Sequence, residues 1–232
     1  MLDDVPPEYG AIAALEIFEG ISASALHDVL GAVRVRALPR GKKVFDQGEP
    51  MERAHALLAG AVRISQAGSD GEQVVIRFIG PGEIFGAVAL YTDRHYPADA
   101  VAMADSVEAS WSPADLFALV EKHPRIGVNM IGVVGRRLAE LQDRVRELAT
   151  QRVERRIAHT ILRLLRQFGR HTSDGTALSL PLRRKDIADI SGTRLHSVSR
   201  VLAEWERAGT LYSHNQTLTV RSIRDIETIA ET

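Results

Sequence analysis

The chain has 232 residues, 45% of them hydrophobic, with no cysteine and a formal net charge of -1. Zero cysteines exclude disulfides, thiol redox switches, cysteine-type structural zinc sites and iron-sulfur clusters held by cysteine. No apolar run approaches the roughly 20 residues of a membrane span, and the acidic start MLDDVPPEYG is unlike a basic signal peptide, so a soluble, cytoplasmic chain with no membrane partner is expected.

The near-zero charge hides an asymmetry. Residues 1–124 carry 10 Lys and Arg against 18 Asp and Glu, net -8, whereas residues 125–232 carry 19 against 12, net +7. A basic part suits a phosphate backbone, because neutralising phosphates releases counterions, and the acidic part is expected to face away from it.

The first predicted element is a short helix, SASALHDVLGAV, with Ser22 or Ser24 as its cap. From Arg34 to Trp111 short alternating or apolar runs follow one another, punctuated by Gly41, Gly48, Gly60, Gly71, Gly80, Gly82 and Gly86. Glycines at about ten-residue spacing between such runs predict hairpins of an antiparallel sandwich or barrel. Beyond His123 and Pro124 the period changes. Met130, Val134, Leu138, Leu141, Val145 and Leu148 recur at three- and four-residue steps, flanked by Arg136, Arg137, Glu140, Asp143, Arg144 and Glu147. Such a stripe on a long helix predicts a seam for parallel pairing in a homodimer, with packing against its own β domain as the alternative. Thr150 is the expected cap of a further helix, QRVERRIAHTILRLLRQFG, which stops at Gly169, and HTSDGTALSLP supplies a loop and a short strand.

The run RKDIADISGTRLHSVSRVLA, from Arg184 to Ala203, reads as a helix-turn-helix. Ala188 is small where two helices cross, Gly192 sits where the tight turn needs positive φ, and Val198 packs the second helix back. Ile187, Ile190, Leu195, Val198, Val201, Leu202 and Trp205 form its apolar stripe. Thr193 is the expected N-cap of a recognition helix running from Arg194 to Ala208, which Gly209 ends in a left-handed conformation. TLYSHNQTLTV then alternates and turns at Asn215, the pattern of a β-hairpin wing.

The expected class is therefore α+β, in three parts: an N-terminal antiparallel β-roll over 1–123, a dimerisation helix over 124–149, and a winged helix-turn-helix over 150–232. Its partner would be double-stranded DNA. Arg194, His196, Ser197, Ser199 and Arg200 lie on the N-terminal turns that enter a major groove and are the candidate base contacts. Thr193, Ser197, Arg183, Arg184 and Lys185 are the candidate phosphate contacts. No Ser-His-Asp order, phosphate loop, HExxH or paired carboxylates occur, and the eight histidines are scattered, so neither catalytic residues nor a metal site are expected.

The order of parts, with VFDQGEP at 44–50, LLAGAVRI at 57–64, GPGEIFGAVAL at 80–90 and the helix-turn-helix, resembles the CRP/FNR family of bacterial transcription regulators over nearly the whole chain. The resemblance implies a cyclic-nucleotide-binding-like sensor domain, a DNA-binding homodimer and contact with RNA polymerase. Where cyclic-AMP receptors of that family carry a glutamate and an Arg-Ser pair, this chain has Ala87, Tyr96 and Pro97, so cyclic AMP is not the expected ligand. Three stretches, RHYPADAVA at 94–102, VERRIAHTILRLL at 153–165 and GTRLHSVSRVLAEWE at 192–206, resemble the DNR/NnrR branch, which regulates denitrification genes in response to nitric oxide through haem. That likeness implies a nitric oxide signal and an inverted TTG-type site, with another small-molecule effector, or none, as the alternative. A haem requires an axial ligand. His27 and His55 are the candidates put forward, among His95, Met51, Met103 and Tyr96. The resemblance also makes Arg200 the guanine contact, and sets His196 and Leu195 where relatives carry glutamate and arginine.

Overall fold

The computed structural model describes residues 7–68, 73–214 and 216–231; Gly71 and Asn215 lie outside the described residues. The chain forms two compact units, Met1–Ala67 with Arg77–Glu140, and Gly68–Ile76 with Leu141–Thr232.

The first unit opens with α1 (Pro7–Ala13), a 3-10 turn (Glu16–Phe18) and α2 (Ala23–Ala32). Ser22 caps α2 as the sequence implies, its hydroxyl accepting from the Ala25 N–H at 3.2 Å. Eight strands follow: β1 (Arg34–Leu38), β2 (Lys43–Phe45), β3 (Ala54–Ala59), β4 (Val62–Ala67), β5 (Gln73–Ile79), β6 (Ile84–Phe85), β7 (Asp99–Ala102) and β8 (Ser106–Trp111). They form two four-stranded sheets ordered β1-β8-β3-β6 and β2-β7-β4-β5. The strand pairs whose register is described are antiparallel, as the alternating pattern requires. The inner faces enclose Phe45, Ala54, Ala56, Leu57, Val62, Phe85 and Trp111, and α1, α2 and α3 (Pro113–Lys122) pack at the margin. Neither α1 nor α3 stands out in the sequence, because both are short, and α3 directly follows the β run that ends at Trp111.

The helix α4 (Pro124–Thr150) follows as one uninterrupted element of 27 residues. Thr150 ends it rather than capping the next helix: its hydroxyl donates back to the Arg146 carbonyl at 2.8 Å, and α5 (Val153–Phe168) begins three residues later behind Arg152. A threonine whose hydroxyl bonds the preceding turn is engaged inside a helix, which removes it from the capping role.

The second unit adds β9 (Gly169–Thr172) and β10 (Gly175–Leu178), then α6 (Arg184–Ser191) and α7 (Leu195–Arg207), then β11 (Leu211–His214), β12 (Thr217–Val220) and α8 (Ile223–Glu231). The wing is therefore part of a four-stranded sheet, β11-β12-β10-β9, instead of an isolated hairpin. The sequence shows only one strand before the helix-turn-helix; β9, fully exposed, lacks the buried alternation that marks a strand. The left-handed residue described in the wing turn is Gln216, with φ of 63°.

Candidate DNA interface and sensor interior

Gly192 separates α6 from α7 with φ of +62°, the left-handed value that a side chain adopts only at a cost, and its N–H reaches back to close α6. Behind the turn, Ile187, Ala188, Val198, Val201, Leu202 and Trp205 are buried, so the apolar stripe fixes the two helices together. Ala188 takes the crossing position and Gly209, φ +77°, ends the second helix, both as the sequence implies. Helix α7 starts at Leu195, and its N-cap position falls on Arg194, not Thr193, without a side-chain cap bond.

The outward face of α7 presents Arg194, His196 and Arg200, all exposed, with Ser197 and Ser199 half-buried between them. Leu195 is also exposed, at 49%, an apolar side chain on an otherwise polar turn. The basic run before α6 is not a bare patch. The Asp186 carboxylate accepts from the Arg183 main-chain N–H at 2.8 Å and its guanidinium at 3.3 Å, Lys185 pairs with Asp189 at 3.2 Å, and Arg184 with Glu206 at 3.4 Å. These pairs orient the side chains while leaving Arg183 and Lys185 exposed.

Along α4, Ile131, Val134, Leu138, Leu141, Val145 and Leu148 are between 42% and 73% exposed. Their steps of 3, 4, 3, 4 and 3 are a heptad seam read directly off exposure. Met130 is a correction to the sequence reading. It is 6% exposed and belongs to the core of the first unit, where its sulfur accepts from the Tyr91 hydroxyl at 3.8 Å. Met130 and Ile131 are neighbours that both fit an apolar period, and only tertiary packing decides between them.

Inside the β-roll, His55 on β3 is 3% exposed and Glu108 on β8 is fully buried. His55 Nδ1 lies 3.1 Å from Glu108 Oε2, its Nε2 lies 3.3 Å from the Tyr96 hydroxyl, and Arg36 donates to the other Glu108 oxygen. Tyr96 stacks on Phe45 with ring centroids 3.8 Å apart, and its hydroxyl donates to the Arg53 carbonyl at 2.8 Å. Gly86, φ +71°, backs this cluster so closely that a Cβ would come within 3.1 to 3.3 Å of Phe45, His55 and Tyr96. Burial pushes the Glu108 carboxyl up, but His55 and Arg36 together outweigh it and hold it below its ordinary value. Neither Glu108 nor Arg36 stands out in the sequence: the run SVEASW sets Glu108 in register with Ser106 and Ser110, the polar side of its alternation, yet the strand is buried on both faces from Glu108 to Trp111.

Tyr96 thus fills space with an aromatic ring where the resemblance places a phosphate ligand, Ala87 opens a 3-10 turn with no charge to offer, and Pro97 is exposed. Neither nitrogen of His55 faces open space, so His55 as packed does not fit an axial haem ligand. His27 lies exposed on α2, His95 is exposed, and Met51 is buried in the core. No group of three or more His, Cys, Asp or Glu side chains suited to a metal ion occurs among the described residues, and no described helix is long and apolar enough to cross a membrane.

Residues 35–123 match the cyclic nucleotide-binding domain family, and residues 155–229 match the Crp-like helix-turn-helix domain family. The chain is 28% identical to the cyclic AMP receptor protein of Thermus thermophilus, over 92% of this chain and 96% of that one. It is 27% identical to the nitrogen fixation regulation protein FixK of Azorhizobium caulinodans, over 74% of this chain and 68% of the relative. Its fold matches the structure of FixK2 from Bradyrhizobium japonicum with a TM-score of 0.75 at 22% identity, covering 85% of this chain and 96% of that one.

Proposed function

Because the chain belongs to the CRP/FNR family of DNA-binding transcription regulators, we propose that it acts as a homodimer reading an inverted TTG-type repeat, and that it responds to nitrogen oxides and not to cyclic AMP. The observation that carries the DNA reading is the outward face of α7, where Arg194, His196 and Arg200 stand exposed on a helix locked from behind by the Gly192 turn. Two such helices, joined through the exposed α4 seam, would meet half-sites about one helical turn, or 34–36 Å, apart. Arg200 donates two bonds to guanine O6 and N7 in this arrangement. RNA polymerase is the partner through which bound dimer alters initiation, and no catalysis is assigned to the chain.

For the signal, the packed interior favours a second reading beside haem. His55 already faces Glu108 and Tyr96, and three aromatic rings, Phe45, Phe85 and Tyr96, fill the space around it, so a non-haem effector, or none, accords better with the β-roll as folded. Fluorescence anisotropy with an inverted TTG duplex and a scrambled duplex tests the DNA reading: selectivity for the repeat is expected, and equal affinity would overturn it. Reconstitution with haem under anaerobic, reducing conditions tests the signal. A Soret band that shifts with nitric oxide supports the haem route, and its absence leaves the second reading.

A further inference from the structure

Two elements contribute to both compact units: β5, which crosses the division after Ile76, and α4, which crosses it after Glu140. Within the second unit, one side chain of α4 ties the first half of β5 to the helix-turn-helix. Arg144 Nη1 donates to the Ile76 carbonyl at 2.6 Å, while Nη2 donates to the Val75 carbonyl at 3.2 Å and the Ile190 carbonyl at 2.6 Å. Ile190 lies in the last turn of α6, immediately before Ser191 ends it. Carbonyls there lack an intrahelical partner and form the negative end of the helix dipole, so a guanidinium is suited to them in both bonding and charge. The planar fork lets a single group serve acceptors in two segments, which the compact ammonium of a lysine does less well. A second arginine acts beside it. Arg156 donates to the Gly192 carbonyl at 3.1 Å and to the Leu148 carbonyl at 3.4 Å, which ties the turn itself to the end of α4.

We infer that Arg144 is a positioning residue for DNA recognition: by pinning the end of α6 to β5 and α4, it presents the recognition helix in a single orientation. The inference rests on the DNA reading proposed above. Without the pin, α6 and α7 sample several orientations in the free protein, and affinity for a specific site falls in proportion to the competent fraction. Random DNA is held through phosphates alone and accepts many orientations, so its affinity is affected little.

The test uses the full chain with Arg144→Gln and Arg144→Lys, each titrated against the inverted TTG duplex and the scrambled duplex, with hydrogen exchange followed at the α6 amides. Arg144→Gln is expected to weaken the specific complex about tenfold, leave the scrambled one within about twofold and speed exchange near Ile190. Arg144→Lys should fall between, since it keeps the charge and loses the fork. Unchanged specific affinity in the Gln variant overturns the inference, as does an equal loss on both duplexes, which is the mark of general destabilisation. Should the Gln variant fail to fold, the Lys variant decides by the same comparison. Wild-type protein that shows no preference for the repeat removes the premise instead, and that failure is seen before any variant is made.

Discussion

Glu108 remains charged although its side chain has no exposed surface, because His55 and Arg36 both engage the carboxylate. Its depressed value in the folded state fixes the sign of a pH effect. A carboxyl of this kind contributes stability above its unfolded value, near 4.5, and that contribution is lost as pH falls through the lower folded value. Glu108→Gln should therefore cost about 1–3 kcal/mol near neutral pH by leaving buried His55 without its charged partner. Urea unfolding followed as a function of pH checks this: the gap between wild type and variant should begin to narrow as pH falls below the unfolded value near 4.5 and close once pH is below the lower folded value, whereas a constant gap would place the cost in packing and not in the ion pairs. On α7 the same scale of reasoning separates two side chains. Arg200→Ala should remove about 1–3 kcal/mol of discrimination for the guanine of the half-site, read as the ratio of affinities for matched and guanine-substituted duplexes. Leu195, exposed and apolar, lacks the charge to read guanine, so a preference elsewhere in the half-site must come from its neighbours or from contact with a thymine methyl.

The turn between α6 and α7 shows how an element depends on its glycine. A Cβ at Gly192 would lie 2.5 Å from Leu148 Cδ2, on top of the cost of a left-handed φ for any other residue. Gly192→Ala is expected to destabilise the second unit by about 1–3 kcal/mol in a denaturant melt. Adding Leu148→Ala should recover the steric part alone, since the backbone strain has no dependence on Leu148; full recovery would mean that φ at this position is unstrained. Legibility in the sequence follows the same division between local and tertiary causes. The helix-turn-helix could be read because its glycine, its small crossing residue and its apolar spacing are all local. The β-roll could be read because hairpins repeat their glycines. The N-cap of α7 falls on Arg194, one residue beyond Thr193, because cap preference is a weak local term that packing overrides. The polar interior was not legible, because nothing in the spacing of Arg36, His55, Tyr96 and Glu108 says that four different segments meet.

For the whole molecule, the exposed seam of α4 and the charge asymmetry of the chain make a joint prediction about salt. The net charge of -1 gives no reason to expect strong attraction to DNA, yet the residues from 125 onward carry an excess of seven positive charges. If two copies pair through α4, both basic parts reach one duplex, and the logarithm of the affinity should fall with the logarithm of salt at a slope of about -0.9 for each phosphate contacted by either copy. Leu138→Glu tests the coupling between pairing and binding. Leu138 is 56% exposed, so the new charge costs the single chain little, but in a paired seam it would face its own copy in an apolar interface. Light scattering should show this variant as a monomer with unchanged circular dichroism. Its salt slope on the inverted repeat should drop to about half that of wild type, because half of the phosphate contacts are gone, and its affinity should become equal for the inverted repeat and for a single half-site. A monomeric variant that keeps the wild-type slope would mean that one copy makes all the contacts, and the two-fold reading of the site would then fail even though the helix-turn-helix binds DNA.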